Sequence, residues 1–273
     1  MLNYKSYLML RTYLVLDNVA KYLDSYGLLC TENLDGGDSL NRMSLLLIAD
    51  YVLSYGGDLS FVGKFREPSD LFSWLVAYES AFYQGPIPPR HPDKDKWYSD
   101  IFTTTRDQLI PYLSYCVLTK ETDRIRAFYN WHKTKALLFA PNTHHGATYQ
   151  NYDEHMEKLP GDPYRPGRKI PDPTGPEIWS FYSRAFDHPK WVINLWDLHL
   201  LKSVEYHNKH PTKHVDKILP RLIVGKYVKP SKNSLKALSL VNKQLMIEQF
   251  HELMSFENPR WLSELWEPII NDF

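Results

Sequence analysis

Asp38 with Arg42, Arg106 with Asp107, and a basic, aromatic loop between these pairs are the residues whose types and spacing suit chemistry. In Gly37-Asp38-Ser39-Leu40-Asn41-Arg42 a carboxylate and a guanidinium stand four residues apart at a helix start, so both fall on one face. In Thr105-Arg106-Asp107-Gln108 an aspartate again opens a helix beside an arginine. The helix dipole and the adjacent guanidinium each favour the ionised carboxylate. Asp38 and Asp107 therefore suit a general base or a hydrogen-bond acceptor; a general acid needs a raised pKa, which neither position supplies. Glycoside hydrolysis by paired carboxylates needs one group of each kind. Glu79, set between aromatic neighbours, is the candidate acid. The plainer account of both aspartates is a helix cap with a local ion pair.

Charged and aromatic side chains interleave through Arg90-His91-Pro92-Asp93, Trp97-Tyr98-Ser99-Asp100 and Thr105 to Gln108. Such a stretch suits a cleft wall in which Arg90 and Arg106 hold a polar ligand while Trp97 or Tyr98 stacks on it. It also suits a loop pinned by caps and ion pairs. His144, His145, Asp153, Glu154 and His155 are of metal-ligating types, but adjacent histidines rarely share an ion and no helical histidine pair occurs, so no metal and no cofactor are expected. In Thr174-Gly175-Pro176-Glu177-Ile178-Trp179, leading to Phe181-Tyr182-Ser183-Arg184, the spacing of Trp179, Tyr182 and Phe186 reads as a core face, and Arg184 as a side chain turned toward a cleft. There is no glycine-rich phosphate loop and no nucleophile elbow. Cys116, between Tyr115 and Val117, reads as a buried, inert thiol.

The elements that must position these residues are helices. Amphipathic spacing and a glycine stop predict a helix from about Tyr4 to Tyr26, and Asp38 caps a second that ends at Gly56-Gly57. A third covers about Ser69 to Gln84. Thr105 and Gln108 form a capping box for the next, which contains Pro111; that proline cannot donate to the Asp107 carbonyl and should kink the helix. Further helices are expected over about 121–139, 175–186, 189–208, 212–225 and 233–254, with Thr174 and Glu177 as a second capping box and a short last helix after Asn258-Pro259. Two long loops interrupt the array, at 85–104 and 141–174, and the one weak strand candidate is Ser60–Lys64. These elements predict an all-α chain, one domain over 1–273, packed as antiparallel hairpins in an α/α toroid or an irregular bundle.

The segments GDSLNR, TRDQLIP and PTGPEIWSFYSRAF together resemble helical proteins of tailed bacteriophages and some bacteria to which no activity is assigned, over about residues 35–186. That resemblance implies a virion or assembly component, or an activity directed at the host envelope. The layout also resembles α/α-toroid carbohydrate enzymes at the level of fold, which does not fix function.

Lys and Arg together number 32 and Asp and Glu also 32, so the net charge is zero and non-specific nucleic-acid binding is disfavoured. Two cysteines suggest free thiols in a reducing compartment. The apolar N-terminus carries Lys5, Arg11 and Asp17 without a small-residue cleavage site, and no membrane span is expected. The chain is thus expected in the cytoplasm, or in the virion if phage-encoded. Aromatic residues make up 14%, with 8 Trp and 19 Tyr, a supply of flat faces for sugars, peptides or a protein partner. Two functions follow: binding of a small molecule or glycan in an aromatic-lined polar cleft, with hydrolysis an open possibility, or a non-enzymatic role among other virion proteins.

Overall fold

The computed structural model describes Leu29 and residues 39–55, 106–136, 174–211, 215–257 and 260–273. These residues are all-α: α1 (Ser39–Tyr55), α2 (Arg106–Leu118), α3 (Thr122–Ala136), α4 (Thr174–Ala185), α5 (Lys190–Lys209), α6 (Val215–Tyr227), α7 (Lys232–Ser239), α8 (Lys243–Glu257) and α9 (Arg260–Asn271). No strand occurs among the described residues. The helices expected over Tyr4–Tyr26 and Ser69–Gln84, the strand candidate Ser60–Lys64 and both long loops lie outside the described residues, apart from the end of the second loop.

Helices α2 and α6 form the centre. They pack on each other, α1 and α4 flank α2, and α5, α7 and α8 flank α6. Every described side chain from Gln108 to Leu118 in α2 and from Val215 to Gly225 in α6 is buried. A helix apolar or buried all round belongs in the interior, whereas a surface helix shows one apolar stripe. Helix α5 is of the second kind. Its buried residues are Ile193, Asp197, Leu200, Leu201, Val204 and His207, a stripe at helical spacing.

Each central helix contains a proline as its sixth residue, Pro111 in α2 and Pro220 in α6. Helix α2 begins at Arg106, so Pro111 lies in its interior as expected and offers no N–H to the Asp107 carbonyl. Pro220 does the same to the Asp216 carbonyl. Trp266 of α9 is fully buried, donates from Nε1 to the Leu45 carbonyl of α1 (3.2 Å) and meets Phe250 of α8 edge-on at 5.8 Å.

The helix expected over 233–254 is two helices. Leu240 closes α7, its N–H reaching the Lys236 and Ala237 carbonyls, and Asn242 Oδ1 accepts from the Leu245 N–H (3.2 Å) to start α8. The asparagine is the physical cause: as an N-cap it satisfies a donor that a continuous helix would use otherwise. Helix α7 itself starts from a capping box in which Ser231 and Ser234 play both parts. Left-handed residues that are not glycine follow three other helices: Lys120 (φ 61) after α2, Asp187 (φ 58) after α4 and Lys229 (φ 47) after α6. After α4 the His188 N–H reaches back to the Ser183 carbonyl and that of Asp187 to Arg184, a Schellman closure.

The aromatic residues beginning at Trp179 form a core face, as their spacing suggested. Tyr182 is fully buried and meets Tyr129 of α3 edge-on at 4.7 Å, and Trp179 and Phe186 pack on the same Tyr129 ring. Cys116 is a buried free thiol.

Candidate functional site

Polar side chains are buried where three helices begin. Asn41, in the first turn of α1, donates from Nδ2 to the Asp216 carboxylate in the first turn of α6 (3.2 Å). Glu177, in the first turn of α4, accepts from Arg221 Nη1 of α6 (2.9 Å). At the other end of α4, Arg184 Nε donates to the carbonyl of Val228, just past the end of α6 (2.9 Å). Helices α4 and α6 therefore run in the same sense, and the N-terminal turns of α1 and α6 meet. Asn41, Arg42, Gln108, Glu177, Asp216, Lys217 and Arg221 are all buried.

Electrostatics at this end are set by local structure. Glu177 and Asp216 each occupy the first turn of a helix, where the dipole favours a negative charge. The Arg221–Glu177 pair is almost wholly withdrawn from water, with side-chain exposures of 3% and 0%. Arg221 also extends Nη2 to His199 Nδ1 of α5 at 3.2 Å. A guanidinium only donates, so Nδ1 accepts and the proton of the neutral ring sits on Nε2. Glu177, Arg221 and His199 thus form a three-helix relay from a carboxylate through a fixed cation to an imidazole. Such a set orients hydrogen bonds toward hydroxyl or carboxylate groups. Nearby, the half-buried rings of Trp179 on α4 and Trp196 on α5 stack at 6.0 Å and 22°.

A second buried cluster ties α4, α5 and α7 together. Asp197 accepts from Arg184 Nη1 (2.9 Å) and Nη2 (2.6 Å), from Ser180 Oγ (2.8 Å) and from Ser231 Oγ (2.6 Å). Burial is the largest influence on this carboxyl and opposes its ionisation. The Arg184 hydrogen bonds and charge, with the two serine hydroxyls, outweigh it and hold Asp197 below the ordinary aspartate range. Both partners are 1% exposed, and the cluster joins α4, α5 and the start of α7.

The residues singled out in the sequence are placed as follows. Asp38, Glu79, Arg90, Trp97 and Tyr98 lie outside the described residues. Arg106 and Asp107 form the first turn of α2, and their side chains lie outside the description. Arg42 is 1% exposed in the first turn of α1, a buried position at the polar end. Arg184, expected to turn toward a cleft, is buried against Asp197, because Asp197 falls in the inward stripe of α5 and recruits it. The histidine and acid residues 144–155 are not described; among the described residues no three His, Cys, Asp or Glu side chains are grouped to hold a metal ion. No described helix is long and apolar enough to cross a membrane.

Glu177 was read from the sequence only as a cap, and Asp216, Arg221, Asp197 and His199 were not singled out. Two signals existed. Asp216 stands four residues before a proline, as Asp107 does, and Asp197 falls in register with the apolar stripe of Ile193, Leu200, Leu201 and Val204. Comparison with known proteins found no matching family model, no matching curated protein and no matching solved structure.

Proposed function

We propose that the chain binds a carbohydrate-like ligand at the polar end of its helical array, where α1, α4 and α6 begin, and that hydrolysis of such a ligand is its candidate reaction. One observation supports this above the rest: Asn41 and Asp216 join two helix starts, and Glu177 at the start of α4 pairs with Arg221 midway along α6, all four side chains being buried. Buried ion pairs recover little stability compared with apolar packing, so a function is a better reason for them than the fold alone. In this proposal the helices form an α/α toroid with α1, α2 and α6 on the inside. Asp38 and Asp107 serve as bases or acceptors and Glu79 as the acid. Arg42, Arg90, Arg106, Trp97 and Tyr98 hold the ligand, while Arg184 serves the fold.

The runner-up is a non-enzymatic component of a bacteriophage particle. It is favoured by the Arg184–Asp197 cluster, in which a motif residue is spent on joining helices. A glycan-binding screen combined with thermal unfolding separates the two. Asp107→Asn is expected to abolish glycan binding while lowering stability by only about 1 kcal/mol, the scale of a weakened polar contact. Glu177→Gln is expected to weaken binding as well. Severe unfolding of Asp107→Asn without a separate binding defect would make Asp107 structural and sink the cleft.

A further inference from the structure

Helix α5 shows water a face that an ordinary surface helix does not. Trp191 is 71% exposed, Leu195 54%, Leu198 43% and Tyr206 59%. Their spacing of 4, 3 and 8 residues puts them in one row, opposite the buried stripe. Lys202 and Lys209 continue the same row, which extends about 27 Å at the helical rise. Helix α7 lies alongside in the same sense. Near the starts of the two helices the Asn233 N–H donates to Asn194 Oδ1 (2.8 Å) and Asn233 Nδ2 to the Asn194 carbonyl (2.7 Å); near their ends Asn208 Nδ2 donates to the Leu240 carbonyl (2.7 Å). Helix α7 exposes one large apolar side chain of its own, Leu235, at 53%. Single exposed apolar residues are ordinary, but a contiguous row of them marks a surface that meets something.

The charge on this face says what it meets. Helices α5 and α7 carry the exposed residues Lys190, Lys202, Lys209, Lys232 and Lys236. Against them α5 sets Glu205 at the surface and Asp197 in the interior, and α7 has no acidic residue. The lysines converge from both helices: Lys202 donates to Glu205 (2.7 Å), and the charges of Lys202, Lys236 and Lys209 all act on that carboxylate. In a chain of zero net charge this is a local cationic surplus.

We infer that the α5–α7 face docks on an anionic phospholipid surface, with Trp191, Leu195, Leu198 and Tyr206 entering the headgroup boundary and the lysines meeting the lipid charge. A helix lying in the membrane plane needs this composition, apolar and aromatic residues on one side with lysines around them. Trp191 and Tyr206 stand near the two ends of the apolar row, and these ring types settle at the headgroup level. A second copy of the chain is the weaker occupant, since pairing this face with itself sets lysine against lysine.

The test is sedimentation of the full chain with vesicles of phosphatidylcholine containing about one-third phosphatidylserine, against vesicles of phosphatidylcholine alone. The protein is expected to partition to the anionic vesicles and to be released by high salt. Leu195→Asp with Leu198→Asp, and separately Lys202→Glu with Lys209→Glu, are expected to lower partitioning by more than roughly tenfold, because each basic residue near the surface contributes about fivefold. Circular dichroism should stay unchanged, since all four side chains are exposed. Absence of vesicle binding, or binding that neither double variant weakens, overturns the inference. So does a dimer in light scattering that the leucine variants dissociate, which would assign the face to a second copy.

Discussion

Asp197→Ala is the substitution whose cost the structure defines most closely. The carboxylate accepts four hydrogen bonds, two from Arg184, one from Ser180 and one from Ser231. Removing it leaves a guanidinium buried at 1% exposure with its charge uncompensated. Breaking a buried pair in this way costs about 3–5 kcal/mol. The hydroxyls of Ser180 and Ser231 lose their acceptor too, each worth about 1 kcal/mol. Urea unfolding followed by circular dichroism at pH 7 should therefore show a loss of about 4 kcal/mol or more, a large part of the ~5–15 kcal/mol that holds a typical domain together.

Replacing both partners separates the pair from its surroundings. Arg184→Met with Asp197→Leu removes the stranded charge and restores apolar volume, so the double variant should lose only about 2–3 kcal/mol, less than either single change. Acid adds an independent check. The folded state holds the Asp197 carboxyl below its ordinary value, so the stabilisation is fully present above the unfolded aspartate value of about 4 and is lost as pH falls through the folded one. Asp197→Asn should lack that acid-dependent portion. A loss below about 1 kcal/mol for Asp197→Ala, with additive effects in the double variant, would refute the reasoning.

Two further outcomes follow from single side chains. His207 is fully buried, neither ring nitrogen has a hydrogen-bond partner among the described residues, and burial pushes its pKa below the usual value; stability should therefore fall as pH drops below about 6.5, and His207→Leu should flatten urea midpoints between about pH 7 and 5. A Cβ on Gly225 would stand 2.8 Å from Ser234 Cβ, and Ser234 is fixed by the capping box of α7 and by its hydrogen bond to the Gly225 carbonyl. Gly225→Ala should thus lower the thermal midpoint, by a net of about 1–2 kcal/mol, since overpacking outweighs the gain in helix propensity of about 1 kcal/mol; a higher midpoint would show that α7 yields.

Much of the fold was legible because its signals are local. Capped amphipathic segments located α1, α2, α4, α5 and α6 to within a few residues, and the spacing of Trp179, Tyr182 and Phe186 announced a core face. The break between α7 and α8 was missed because its cause is a single asparagine in an otherwise periodic stretch. The candidate site was less legible for a different reason. Asp197 reads locally as one polar residue in a helix, and only the stripe it falls in shows that it points inward. Arg184 then follows Asp197 across two helices, a pairing that no spacing in one segment can reveal. Arg221 and Glu177 lie 44 residues apart and meet only because α4 and α6 run in the same sense within reach of an arginine side chain.

The two central helices carry the same local conflict, which argues that their polar end is built for use. Asp107-Gln108-Leu109-Ile110-Pro111-Tyr112-Leu113 in α2 and Asp216-Lys217-Ile218-Leu219-Pro220-Arg221-Leu222 in α6 share an aspartate, two apolar residues, a proline and a leucine in register. Each proline is the sixth residue of its helix and denies a donor to the aspartate carbonyl four residues before it. A proline inside a helix costs about 3 kcal/mol, and here it recurs in helices buried along their length. In each helix the aspartate carbonyl thus lacks a donor at the proline position, and in α6 the Asn41 amide donates to the aspartate carboxylate. Chains selected for stability alone shed such arrangements. Replacing Pro220 with alanine tests whether the conflict is functional: α6 gains a backbone donor, so stability should hold or rise, while binding at the polar end should weaken if the proline is there to shape the start of α6 around Asp216. A variant that loses stability and keeps its binding would assign the shared motif to packing.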